Sequence, residues 1–256
     1  MNIKQLLDNE VSLRNSALEL SFDKPDPLMI AKKYNDEYIS LFCALFAYGK
    51  ATKIVEFLYS IDFALFNESE EKIRESLRGF YYRFQNSEDI INFIIAIKRV
   101  KNLDSLQELF LQGYKDKNSV LEGIDYLIKT IYSFSDHSSQ GYSFLISSPF
   151  KRDKLSYIKE VSNSPYKRWN MFLRWMVRKD HLDMGLWEKV DKKDLILPLD
   201  THTFHISQKL GLLSRKTYDL KSALLVTQKL KEFDKEDPIK YDFALYRIGQ
   251  EKIDLL

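Results

Sequence analysis

The chain has 256 residues, 45% of them hydrophobic, and 39 Lys and Arg against 37 Asp and Glu leave a formal charge of +2. That is enough apolar material for one large domain or for two lobes sharing a core. Its single cysteine, Cys43, excludes an intrachain disulfide and a four-cysteine iron–sulfur cluster, and no apolar run reaches the ~18 residues of a membrane span. Eight Gly and six Pro are few for a sheet-rich enzyme, and apolar residues recur with helical spacing, so the fold class is all-α.

Residues 1–20 read as a short amphipathic helix without a signal-peptide pattern, and Asp23-Lys24-Pro25-Asp26-Pro27 reads as a connector. Helices are predicted over 28–34 and 37–48, with Gly49 as a C-cap, and then over 54–66 and 70–78. Gly79-Phe80-Tyr81-Tyr82-Arg83-Phe84 interleaves aromatics with an arginine. Such a cluster can stack on an extruded base or a single strand, but at this aromatic density it reads as core. Further amphipathic helices follow over 87–100, 103–114 and 120–133, then a loop over 135–140. The segment 155–161 is taken as the first arm of a helical hairpin.

The informative part begins at Ser164-Pro165-Tyr166-Lys167. Ser164 suits an N-cap and Pro165 the first helical position, which puts Lys167 in the first turn. The helix dipole there disfavours an ammonium ion and so favours the neutral amine that a nucleophile needs. At 100° per residue Lys167, Met171, Arg174 and Arg178 share one face, while Trp169, Phe172, Leu173 and Met176 share the other. Between Pro149 and Lys179 nine Lys and Arg stand against Asp153 and Glu160, a net of +7 in a chain of +2. Charge concentrated in this way suits a polyanion. Residues 180–194 read as an inserted turn with a short helix. Pro198 then ends a segment, Asp200 is the expected N-cap of a helix over 201–210, and Gly211 stops it. A helix over 221–233 should leave Thr227, Lys229 and Lys231 solvated, and Asp242 and Tyr246 stand one turn apart on the last helix.

Leu197-Pro198-Leu199-Asp200-Thr201-His202 resembles the (V/I)-P-V-D-(T/V)-H segment of helix-hairpin-helix DNA glycosylases, the endonuclease III and 8-oxoguanine glycosylase superfamily. Tyr166-Lys167-Arg168-Trp169 matches the place of their lyase lysine. Val161-Ser162-Asn163-Ser164-Pro165 replaces the usual L-P-G-V-G hairpin, and the long spacing from Lys167 to Asp200 is similar to the archaeal-type 8-oxoguanine glycosylases (the AGOG group) and a related bacterial family. The resemblance implies two helical lobes, one over about 40–145 and one over about 1–39 plus 146–256, with a DNA-binding cleft between them. It implies a base-excision glycosylase with AP-lyase activity on an oxidised purine, most simply 8-oxoguanine, that uses no cofactor or metal. By that resemblance Lys167 and Asp200 are catalytic, and Met171, Arg174, Asp242 and Tyr246 line the base pocket. Lys50 stands where relatives carry a stack-entering Gln, and Lys151, Arg152, Lys154, Arg168 and His202 are the expected DNA contacts. The expected partner is double-stranded DNA with a damaged base, bound by a monomer in the cytoplasm at the nucleoid, with no membrane partner.

Two other readings compete. Asp200, His202 and His205 form D-x-H-x-x-H, so a metal-dependent hydrolase is conceivable, although members starting at an N-cap point in different directions. A non-catalytic nucleic-acid-binding protein on the same scaffold would keep the charge and lose the chemistry.

Overall fold

The computed structural model describes residues 2–116 and 118–251, which form thirteen α-helices joined by turns and short 3-10 segments, with no strand among them. The protein is all-α, as its periodicity predicts. Among the described residues no helix is long and apolar enough to cross a membrane. The chain opens with α1 (Ile3–Arg14) and divides into two compact units, Pro25–Pro149 and Met1–Lys24 with Phe150–Leu256.

The first unit holds α2 (Leu28–Tyr34), α3 (Glu37–Leu45), α4 (Ala51–Ser60), α5 (Glu70–Ser76), α6 (Ser87–Leu103), α7 (Leu106–Tyr114), α8 (Val120–Ser133) and α9 (Gln140–Ile146). Asp36 caps α3 by accepting from the amides of Tyr38 and Ile39, both at 2.9 Å. From Tyr38 to Leu45 every α3 residue but Ile39 is buried, and Phe42 lies 4.5–5.9 Å from the rings of Phe46, Phe63, Phe66 and Phe93. This aromatic centre is the unit's core. Cys43 sits inside it, and burial pushes its thiol well above the usual range, so it packs as a small hydrophobe. The helix ends at Leu45, three residues earlier than predicted. Gly49 adopts φ +113° just before Lys50, the N-cap of α4, and caps nothing behind it.

The aromatic run at 79–84 is only partly core. Tyr82 is buried, whereas Tyr81 and Phe84 are 67% and 57% exposed. The reason is local: Tyr82 and Gln85 exchange backbone hydrogen bonds at 3.0 and 2.9 Å, so Arg83 and Phe84 form the tip of a tight turn.

The second unit holds α1, α10 (Lys167–Val177), α11 (Thr201–Lys209), α12 (Leu220–Lys231) and α13 (Asp242–Glu251). Trp169, Phe172, Leu173, Trp175 and Met176 are wholly buried, which makes α10 the core helix. α11 and α13 approach so closely that a Cβ on Gly249 would lie 3.0 Å from Ile206 Cγ1 and 3.2 Å from His202 Cβ. Arg14 of α1 fastens the end of α13 through two hydrogen bonds to Glu251, at 2.8 and 2.7 Å.

The predicted helical arm at 155–161 does not form. The Lys159 amide donates to Lys151 C=O and the Asp153 amide to Tyr157 C=O, both at 2.9 Å, so 151–159 is a short hairpin. Asp153 decides this locally, because its carboxylate accepts from the amides of Leu155 and Tyr157 at 2.9 Å and takes donors that a helix would need. Leu155, Tyr157 and Val161 are exposed, so a helix here would have had no apolar face to bury.

Candidate active site

The start of α10 is built differently from the expectation. Lys167 is the first helical residue, and Tyr166, at φ +49°, is the N-cap without a side-chain capping bond. Ser164 is exposed and Pro165 precedes the helix. Burial overrides propensity here: the Tyr166 ring stacks on Phe150 at 3.9 Å, and Asn170 Nδ2 donates to Pro165 C=O at 3.0 Å. A tyrosine held in the left-handed region is strained, and such strain persists where surrounding packing over-determines it. Lys167 is half-buried, and among the described residues its ammonium makes no hydrogen bond or ion pair.

The other cations of that face are not open to solvent. Arg174 and Arg178 are buried, and together they bind four carboxylates. Arg174 donates from Nε to Asp183 at 3.1 Å and from Nη1 to Asp242 at 2.5 Å. Arg178 donates to Asp183, to Asp180 at 2.9 Å and to Asp237 at 2.9 Å. Burial works against both guanidinium charges, yet Asp183 above all outweighs it and holds them firmly protonated. Two of the nine positive charges that suggested a polyanion surface are thus neutralised inside the unit.

Asp242, the first residue of α13, is buried, and desolvation pushes its carboxyl up to about 6. Arg174 opposes that rise most strongly. Asp200 adds to it and Lys167 subtracts from it, so both groups act on this carboxyl. Asp200 caps α11, with one carboxylate oxygen accepting from the Thr203 amide at 2.8 Å. Its second oxygen has no hydrogen-bond partner among the described residues, and the residue is half-buried.

The loop that carries Asp200 is held by α12 and the turn before it. Thr227 is buried rather than solvated, and its Oγ1 accepts from the Leu197 amide at 2.9 Å while donating to Ala223 C=O at 2.7 Å. The Tyr218 hydroxyl donates to Leu199 C=O at 2.8 Å; burial first and the charge of Asp200 second keep it protonated. Neither residue carries a sequence motif, although a threonine among apolar residues on an amphipathic helix is a hint of an internal partner.

The remaining expected residues divide by environment. Met171 is 8% exposed on the face of α10 that bears Lys167, and Arg168 is half-buried. Tyr246 is half-buried one turn beyond Asp242, with the Arg247 guanidinium 5.7 Å from its ring. Lys151 and Lys154 are exposed on the hairpin, whereas Arg152 donates to Ser156 C=O at 2.8 Å and braces the turn. His202 and His205 are exposed on α11, and among the described residues no three His, Cys, Asp or Glu side chains gather as metal ligands. Lys50 is exposed in the other unit.

Sequence reasoning missed Asp183 as a partner. The available signal was two arginines a turn apart on the central apolar helix, which require buried carboxylates nearby. The family described as Protein of unknown function (DUF2400) matches residues 26–251 of this chain. No curated protein and no solved structure matches it.

Proposed function

We propose that this chain, which belongs to the DUF2400 family, is a DNA glycosylase with an associated lyase activity that removes an oxidised purine from duplex DNA. The observation that carries the reading is the contrast along α10. Arg174 and Arg178 are locked by carboxylates, while Lys167 is left without a partner yet acts, with Asp200, on the buried Asp242. Structural lysines are usually solvated or paired. An unpaired, half-buried amine at a helix start, whose charge reaches the buried Asp242 carboxyl, suits a nucleophile.

In this reading the damaged nucleotide is extruded toward Lys167 and Asp200. The neutral amine of Lys167 forms a bond to C1′ as the glycosidic bond breaks, and the electron pair of that bond leaves with the base, which takes up a proton. Asp200 stabilises the positive charge that develops on the sugar and accepts the proton lost by the attacking nitrogen. Ring opening then gives an imine between Lys167 and C1′, and loss of a proton from C2′ expels the 3′ phosphate. Asp242 accepts N–H donors of the oxidised purine, and Tyr246 and Met171 pack against its ring. Arg174 is buried behind Asp242 and positions that carboxyl rather than meeting the base itself.

Borohydride trapping on a duplex with a single 8-oxoguanine tests the reading. The wild type should give a covalent adduct that Lys167→Gln abolishes, and Asp200→Asn should slow its formation about a hundredfold or more. Full strand cleavage by Lys167→Gln would remove the lysine from the chemistry. Binding without base release across oxidised and alkylated lesions would favour a non-catalytic DNA-binding protein.

A further inference from the structure

The hairpin over 151–159 carries chemistry that the proposed Lys167 reaction does not use. Its tip is held on three sides. The Asp153 carboxylate accepts from the amides of Leu155 and Tyr157, Arg152 reaches across to Ser156 C=O, and Ser156 itself adopts φ +65°. Its base is knotted by Asn163, which accepts from the Lys151 amide at 2.9 Å and donates to the carbonyls of Lys151 and Lys159 at 3.1 and 2.6 Å. The Asn163 C=O also accepts from the Leu220 amide, and the Lys221 amide donates to Glu160 C=O, which fixes the hairpin to α12. Asn163 stands four residues before Lys167.

A turn so strongly braced presents an odd face. Leu155 is 77% exposed and Tyr157 57% exposed. Lys151, Lys154 and Lys159 are exposed around them, and none has a side-chain partner among the described residues. The nearby acids are occupied, Asp153 with amides and Glu160 with Lys221. A rigid apolar tip ringed by unpaired cations matches duplex DNA, where phosphates take the cations and an apolar side chain enters a base step.

We infer that this hairpin is a DNA wedge, which inserts Leu155 between base steps while Lys151, Lys154 and Lys159 hold the flanking phosphates. The inference rests on the DNA reading above and adds a residue that acts on the helix stack rather than on the sugar. A membrane surface fits less well, because one acyl chain alone binds bilayers only marginally and this tip offers two side chains. Insertion at a lesion would supply part of the unstacking that extrusion of the damaged nucleotide requires.

The test uses the full chain and a duplex with a tetrahydrofuran abasic-site analogue next to 2-aminopurine. Wild-type binding should raise the 2-aminopurine fluorescence. Leu155→Ala should lose most of that rise and bind the duplex about tenfold more weakly, and Leu155→Phe should restore both. Lys154→Ala should weaken damaged and undamaged duplexes alike and reduce the salt slope by about one. A Leu155→Ala protein equal to wild type in fluorescence and affinity overturns the wedge. So does Leu155-dependent partition onto phosphatidylglycerol vesicles without a 2-aminopurine response. Borohydride trapping separates the two readings. An adduct with an inert Leu155 leaves the glycosylase and removes the wedge, and a Leu155-dependent signal with neither adduct nor base release keeps the wedge and removes the glycosylase.

Discussion

Asp242→Asn should remove a specific pH dependence from the unit that holds Lys167. The carboxyl moves from 3.8 to about 6 on folding, chiefly because burial disfavours its charge. The folded protein therefore binds this proton more tightly than the unfolded chain does. The stability it contributes is fully present below pH ~4 and is lost as pH rises to about 6, beyond which it stays flat. At about 1.4 kcal/mol per tenfold change in proton affinity, the loss over that window is about 3 kcal/mol. Asparagine cannot ionise, so the variant should show no such loss. Asp183, also raised by burial, contributes in the same direction in both proteins, and the difference between them isolates Asp242. Urea unfolding between pH 4 and 7 provides the assay, followed by tryptophan fluorescence, since Trp169, Trp175 and Trp187 are all buried in this unit. Wild-type and variant stabilities that run parallel from pH 4 to 6 would show that Asp242 ionises normally and that the desolvation argument is wrong.

Thr227→Val keeps the shape of the side chain but strands the Leu197 amide, and should cost about 1–3 kcal/mol, read as a drop of roughly 2–10 °C in Tm. If the loop it anchors positions Asp200, the same variant should slow trapping while leaving DNA affinity intact. Asn163→Ala should loosen the hairpin without unfolding the unit. Amide exchange at Asp153 and Lys159 should then rise, with tryptophan-detected unfolding little changed.

Much of the helical plan was readable from residue spacing, because amphipathic period and capping residues act locally. α8 begins at Val120 and ends at Ser133 as predicted, and Asp200 caps α11 as expected. The departures come from interactions that no local pattern encodes. Ser164 and Pro165 are better helix-start residues than Tyr166, yet stacking on Phe150 moves the start to Lys167. The hairpin replaces a helix because Asp153 and Asn163 bond to backbone groups that a helix would have claimed. For the site, types and spacing marked Lys167, Asp200 and Asp242 as residues to watch. They could not show that Arg178 and Arg174 are also spent on Asp237 and Asp242, which lie 59 and 68 residues away along the chain.

The charge balance around α10 makes the arrangement of the site testable without a substrate. Arg174 and Arg178, with Lys192 at the rim, bring three positive charges to Asp180, Asp183, Asp237 and Asp242, so the fully ionised cluster would still be net negative, with Asp183 and Asp242 buried in it. Uncompensated buried charge is costly, and two responses relieve it: Asp242 holds a proton more readily, and Lys167 supplies positive potential from the helix start. Asp200 pushes the other way. Substituting these two residues should therefore displace the Asp242 midpoint in opposite directions. Lys167→Gln removes a group that lowers it, so the stability loss should extend above pH 6. Asp200→Asn removes a group that raises it, so the loss should finish at lower pH. The same urea series measures both, and neither outcome depends on catalysis. Midpoints that stay fixed in both variants would mean that Lys167 and Asp200 do not act on Asp242, and the proposed chemistry would lose its electrostatic support. Opposite displacements would establish that the amine and Asp200 both act on Asp242 in the folded protein, as a shared site requires.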